Sequence, residues 1–155
     1  MAFKIHTEHQ CENLLLEVQP AQRLVRSTWS GIFQGEQYRS LLQHVIGVVE
    51  RKHLRYWLTD ARKAGYITNE DQEWTMREFT PQVMQAGIER IAIVGSEDPG
   101  NAEAVDRFVA NTPEEAPYAV RFFEDPSIAM LWLLERKPVR DGTGDQGLQS
   151  AAGQG

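Results

Sequence analysis

Apolar positions along the chain change their spacing several times, and those changes mark the elements. Leu14 to Val18 and Leu24 to Trp29 are apolar-rich runs separated by Gln19-Pro20-Ala21-Gln22-Arg23. Proline cannot donate to a strand ladder and suits a turn, so the pair predicts an antiparallel hairpin. Val25, Ser27 and Trp29 alternate with Leu24, Arg26 and Thr28, which makes one face less apolar, as near a sheet edge. From Tyr38 the apolar residues fall at Leu41, Leu42, Val45, Val48 and Val49. That spacing of three and four is one buried helical face.

The run Leu54-Arg55-Tyr56-Trp57-Leu58-Thr59-Asp60 is aromatic and aliphatic until it stops at a carboxylate. It reads as a central strand that delivers Asp60 to the carboxyl-end rim, where open α/β sheets gather ligands and partners. Ala61 to Ile67 is then a loop, and Thr68-Asn69-Glu70-Asp71 opens a helix. Thr68 and Asn69 are both good caps, and the acidic residues meet the positive end of the helix dipole. Pro81 either kinks this helix or, with Thr80 as cap, starts a second one. Ile88 to Gly95 is almost continuously apolar, the mark of a strand covered on both faces.

A helix from about Asn101 to Ala110 follows, then a connection with two prolines and a strand at Tyr118 to Phe123. Asp125-Pro126 is a cap followed by a proline at the first helical position, and Ile128, Met130, Leu131, Leu133 and Leu134 cover the sheet beyond it. The order β-β-α-β-α-β-α-β-α predicts one α/β domain over residues 1–138. It has an N-terminal hairpin, a mixed sheet of about five strands and four crossover or covering helices. Residues 139–155, rich in glycine, glutamine and alanine, are expected to be a disordered tail.

Composition narrows the function. The chain of 155 residues is long enough for one core, and 41% hydrophobic content is a globular value. Sixteen basic against 22 acidic side chains leave a net charge of -6, which disfavours nucleic-acid backbone contacts. No apolar run reaches membrane-span length, and the amino terminus lacks the apolar core of a secretion signal, so a cytoplasmic location is expected. The single cysteine, Cys11, reads as a small hydrophobe at a strand start.

Several segments together carry a resemblance. Trp29-Ser30-Gly31, Trp57-Leu58-Thr59-Asp60, Asp71-Gln72-Glu73-Trp74, Gly87-Ile88-Glu89-Arg90-Ile91-Ala92, Arg121-Phe122-Phe123-Glu124-Asp125 and Ala129-Met130-Leu131-Trp132-Leu133 resemble small bacterial proteins, common in Bacteroidetes. Those are described as STAS-like or SpoIIAA-like domain proteins of unknown function. The likeness spans roughly residues 11–135. It implies a mixed sheet with helices mainly on one side, related in topology to anti-sigma-factor antagonists and to lipid-binding CRAL-TRIO domains. In the antagonists an aspartate near this strand end precedes a phosphorylatable serine. Here Ala61, Arg62 and Lys63 follow Asp60, so no serine switch is carried over.

Two candidate sites emerge. Asp60, Arg62 and Lys63 form a charged segment at the predicted rim, suited to a protein partner; the plain alternative is a carboxylate that accepts nearby backbone donors. Trp29, Trp57, Trp74 and Trp132 lie on elements that converge across one sheet, and line either an apolar-ligand pocket or simply a core with aromatic anchors. His6 and His9, and His44 and His53, find no third ligand at convincing spacing, so no metal is expected. No nucleophile elbow or phosphate loop occurs, and no cofactor is expected.

The leading expectation is therefore a noncatalytic regulatory or protein-interaction domain that docks through the loop after the central strand, with a homodimer through the hairpin edge as a related expectation. The alternative is binding of a small apolar or lipid-like ligand between sheet and helix.

Overall fold

The computed structural model describes residues 4–135; the tail expected at 139–155 lies outside them. Six strands form one sheet in chain order: β1 (His6–Gln10), β2 (Leu14–Gln19), β3 (Leu24–Gly31), β4 (Tyr56–Ala64), β5 (Arg90–Val94) and β6 (Ala119–Phe123). The first three pair antiparallel, and β3 through β6 pair parallel. Each parallel step is bridged by helix: α1 (Glu36–Lys52), then α2 (Asn69–Trp74) with its continuation, then α4 (Pro99–Ala110). A last helix, α5 (Pro126–Leu133), follows β6.

The expectation of about five strands is corrected to six. His-Thr-Glu-His-Gln of β1 carries no apolar alternation, because this edge strand is held by backbone pairing to β2 rather than by burial. Its presence also corrects the expected dimer edge. The β2–β3 hairpin is paired on both sides, by β1 and by β4, so it offers no free ladder to a second copy.

Alternation sorts the side chains onto two faces. One face carries Leu14, Leu16, Val18, Val25, Trp57, Ile91 and Ile93, and packs with Val45 and Val49 of α1, with Phe79 and Val83, and with Val105 and Val109 of α4. The other carries Leu24, Leu58, Ala92 and Val94, covered by Ala129 and Leu133 of α5. Helices thus lie mainly on one side, and the larger core lies beneath them.

Two local irregularities shape that larger core. A bulge in the β3–β4 pairing falls between Thr28 and Ser30, which pair with Asp60 and Lys63. An extra residue in β4 breaks strict alternation, so Ala61 and Ala64, three apart, are both buried. The strand continues to Ala64, which corrects the loop expected at 61–67.

The second irregularity lies between α2 and α3 (Thr80–Gln85), where Thr75–Phe79 form a π-helical turn. Pro81 has no N–H for the carbonyl one turn earlier. The wider turn lets the Thr80 N–H and hydroxyl both donate to the Thr75 carbonyl, the latter at 3.1 Å. The proline therefore starts no separate helix: Phe79 and Thr80 keep helical φ and ψ, Thr80 is not an N-cap, and the distortion falls in the turn just before Pro81. Thr68 caps α2 by accepting from the Asp71 N–H at 3.1 Å.

Candidate functional site

Between the larger sheet face and its helices lies a cavity of about 180 Å³. Its floor is built from β3 and β4. Ser27 on β3 is completely buried, and its hydroxyl oxygen accepts from two indoles, Trp29 Nε1 at 3.0 Å and Trp57 Nε1 at 2.9 Å. Trp29 Nε1 also reaches Thr59 Oγ1 at 3.0 Å. Both tryptophans are fixed by these bonds and present carbon surface to the cavity. An indole N–H buried without an acceptor is costly, which is why a serine stands between valine and tryptophan on an otherwise apolar face.

The roof comes from the helices. Thr75 and Phe79 of the π-helical segment and Thr80 just after it line the roof, so the distorted turn sits directly over the cavity, a frequent position for π-bulges. Phe79 meets Trp57 edge-on with centroids 6.3 Å apart. Tyr38 of α1 donates to Thr75 Oγ1 at 2.8 Å, because that hydroxyl's own hydrogen goes to the Asp71 carbonyl at 2.7 Å. Burial pushes the Tyr38 phenol far above its ordinary value, so it remains a neutral donor. Asn101, Val105, Phe108 and Val109 of α4 close the remaining side. Their spacing of four, three and one is a single helical face.

No charged side chain is among the lining residues. Tyr66, 48% exposed, is the lining residue most open to solvent, so the mouth lies beside residues 65–67. Gly65 is needed there: a Cβ would stand 2.5 Å from Ile32 Cγ1, and its N–H donates to the Gly31 carbonyl at 2.9 Å.

The sequence candidates separate around this cavity. Trp29 and Trp57 border it. Trp74 is half-buried, with its ring stacked on Phe79 at 5.9 Å and edge-on to Tyr38 at 6.2 Å, behind the lining. Trp132 packs with Phe123 in the smaller core, beneath the guanidinium groups of Arg90 and Arg121. The four indoles do not converge, because α5 crosses the opposite face of the sheet.

Asp60 lies within β4 on that opposite face and is 2% exposed. Both its oxygens are engaged inside the protein. Arg62 donates through Nε to Oδ1 at 3.0 Å and through Nη2 to Oδ2 at 2.9 Å, its backbone N–H reaches Oδ1 at 3.2 Å, and Arg26 approaches at 3.5 Å. Burial alone would raise this carboxyl, but the Arg62 hydrogen bonds and charge outweigh it and hold the group below its ordinary value. Together these bonds clamp the bulge. Lys63 is exposed.

Elsewhere, the His9 and His44 rings meet at a tilt of 53° with centroids 4.9 Å apart, and burial and the neighbouring His9 push His44 down. His6 and His53 are exposed. Among the described residues no three His, Cys, Asp or Glu side chains cluster to hold a metal, and no helix is long and apolar enough to cross a membrane. Cys11, expected as a small buried or half-buried hydrophobe at a strand start, is exposed, because it lies in the turn between β1 and β2.

Sequence reasoning missed Asn101 and the π-helical wall. Asn101 carried a faint signal, a polar residue on the apolar stripe of α4. The π turn had only Pro81.

No family model and no curated protein matches the chain. Among solved structures it is similar to a crystal structure of an uncharacterized protein from the DUF3478 family, from Shewanella loihica PV-4, described as having a SpoIIAA-like fold. The two share 18% identity with a TM-score of 0.50, and the match covers 84% of this chain and 93% of the other. The fold is SpoIIAA-like. That likeness concerns the backbone arrangement and does not assign the chain to a bacterial group.

Proposed function

We propose that the protein is a noncatalytic binding domain for a small apolar ligand held between the sheet and the helices. The observation that carries this reading is the aromatic-walled cavity of about 180 Å³. Well-packed interiors rarely leave a void much larger than a water molecule. An apolar void of about 150 Å³ suffices to hold benzene. The floor is fixed before any ligand arrives, because both indoles are already hydrogen-bonded to Ser27; a preorganised wall spends little binding energy on ordering.

Docking of a protein partner through Asp60, Arg62 and Lys63 has less support. The carboxylate is buried and saturated by Arg62, which leaves only the outward edge of Arg62 and Lys63 for recognition.

The test is organic extraction of the purified protein with gas chromatography and mass spectrometry, beside Val105→Phe prepared identically. A neutral compound present near equimolar amounts with the wild type and missing from the variant supports the reading. Ligand-free extracts, together with no heat of binding for indole and indene, refute it.

A further inference from the structure

Resting on that reading, we propose that the amide oxygen of Asn101 selects the ligand: the cavity takes a small, neutral ring compound bearing one O–H or N–H donor. Asn101 is 4% exposed and lines the cavity. Its Nδ2 donates to the Gly65 carbonyl at 2.7 Å. The reversed amide would set two carbonyl oxygens against each other at that distance, so chemistry fixes which atom is which. Oδ1 then remains as a buried acceptor without a partner among the described residues.

The position of Asn101 is itself held. Its backbone N–H donates to Asp98 Oδ2 at 2.9 Å, the Asp98 N–H donates to Ser96 Oγ at 3.0 Å, and the Ser96 hydroxyl donates to the Ala64 carbonyl at 2.6 Å. A chain of bonds thus ties the first turn of α4 to the end of β4. The other hydroxyls of the wall have partners within the protein: Tyr38 with Thr75, Thr75 with the Asp71 carbonyl, Thr80 with the Thr75 carbonyl, Thr112 with the Phe108 carbonyl at 3.0 Å, Tyr118 with Thr112, and Thr59 as acceptor from Trp29 Nε1 at 3.0 Å. The recognition chemistry is therefore one acceptor in an apolar box.

That box excludes several classes. A carboxylate or ammonium would lose its hydration with no opposite charge in the wall. An ether or ketone would bring a lone pair against Oδ1. A pure hydrocarbon fits the shape but leaves Oδ1 unpaired, and a site with a buried polar group discriminates against analogues that cannot satisfy it. Phenols, small cyclic alcohols and indole-type N–H compounds meet both demands.

Indole and indene have nearly the same shape and differ by N–H against CH₂, so isothermal titration of the full chain with each isolates the bond. Wild type is expected to bind indole about tenfold more tightly than indene, and Asn101→Leu to bind the two equally. If that variant fails to fold, ¹⁵N-indole bound to wild type supplies the readout: its N–H proton should move downfield and resist exchange with solvent. Equal affinities in wild type, or an unshifted and freely exchanging N–H on bound indole, overturn the role of Asn101 while leaving the pocket reading intact. Absence of binding by both compounds, together with ligand-free extracts, overturns both.

Discussion

Val105→Phe should fill the cavity, and its effect follows from the geometry. Val105 sits one helical turn beyond Asn101 on the lining face of α4, so a ring there enters the void next to the proposed acceptor. The phenyl group adds roughly four carbons over isopropyl, at about 0.8 kcal/mol each when buried, an upper limit of about 3 kcal/mol. Overpacking where the ring meets fixed neighbours returns about 1–3 kcal/mol. A net gain of about 1 kcal/mol remains, which raises Tm by about 2–4 °C in a chain of this size. Indole affinity should fall by more than about tenfold. Differential scanning calorimetry and titration on the same samples check both. A lower Tm with unchanged indole binding would show that residue 105 faces a filled core, and the reasoning would fail.

Other perturbations probe the parts separately. Ser27→Ala removes the acceptor shared by two indoles; Trp29 retains Thr59 but the Trp57 N–H is left buried and unpaired, so stability should drop by about 1–3 kcal/mol with a changed near-ultraviolet circular dichroism signal. An unaltered melt would refute the bonding scheme. The Asp60 carboxyl lies below its ordinary value, so its contribution is fully present above about pH 4 and is lost as the solution is acidified through the folded-state pKa; melts from pH 7 to 3 should show a flatter acid limb for Asp60→Asn. Identical limbs would argue that the clamp is not formed. Thr68→Ala should cost about 1 kcal/mol through loss of the α2 cap, with indole binding unchanged. Exposed Cys11 should react with a thiol reagent in native buffer at nearly the rate seen in denaturant, and marked protection would contradict its placement.

Much of the fold was legible because burial imposes period. The stripe of α1, the apolar runs of β2, β3 and β5, and the Asp125-Pro126 helix start all have the structure their spacing demands. β1 was hidden, because an edge strand of polar residues satisfies its backbone without writing any hydrophobic pattern. The end of β4 was hidden for a different reason: Arg62 and Lys63 look like loop charges, yet Arg62 turns back to bond Asp60 through the bulge.

The site was half visible. Two of four tryptophans line the cavity, since aromatic bulk on β3 and β4 marks the covered face, but the sequence does not say that α5 crosses to the other side and takes Trp132 with it. Nor can spacing reveal an empty volume. A void arises from how Phe79, Val105 and the two small residues Ala61 and Ala64 fail to meet, and that is a property of packing in three dimensions.

The most direct test of the central claim is a crystal structure determined under xenon pressure. Xenon enters dry apolar cavities and scatters strongly. The account predicts a xenon peak enclosed by Trp57, Phe79 and Val105. Side chains closed over that space, with no peak between β4 and α4, would contradict it.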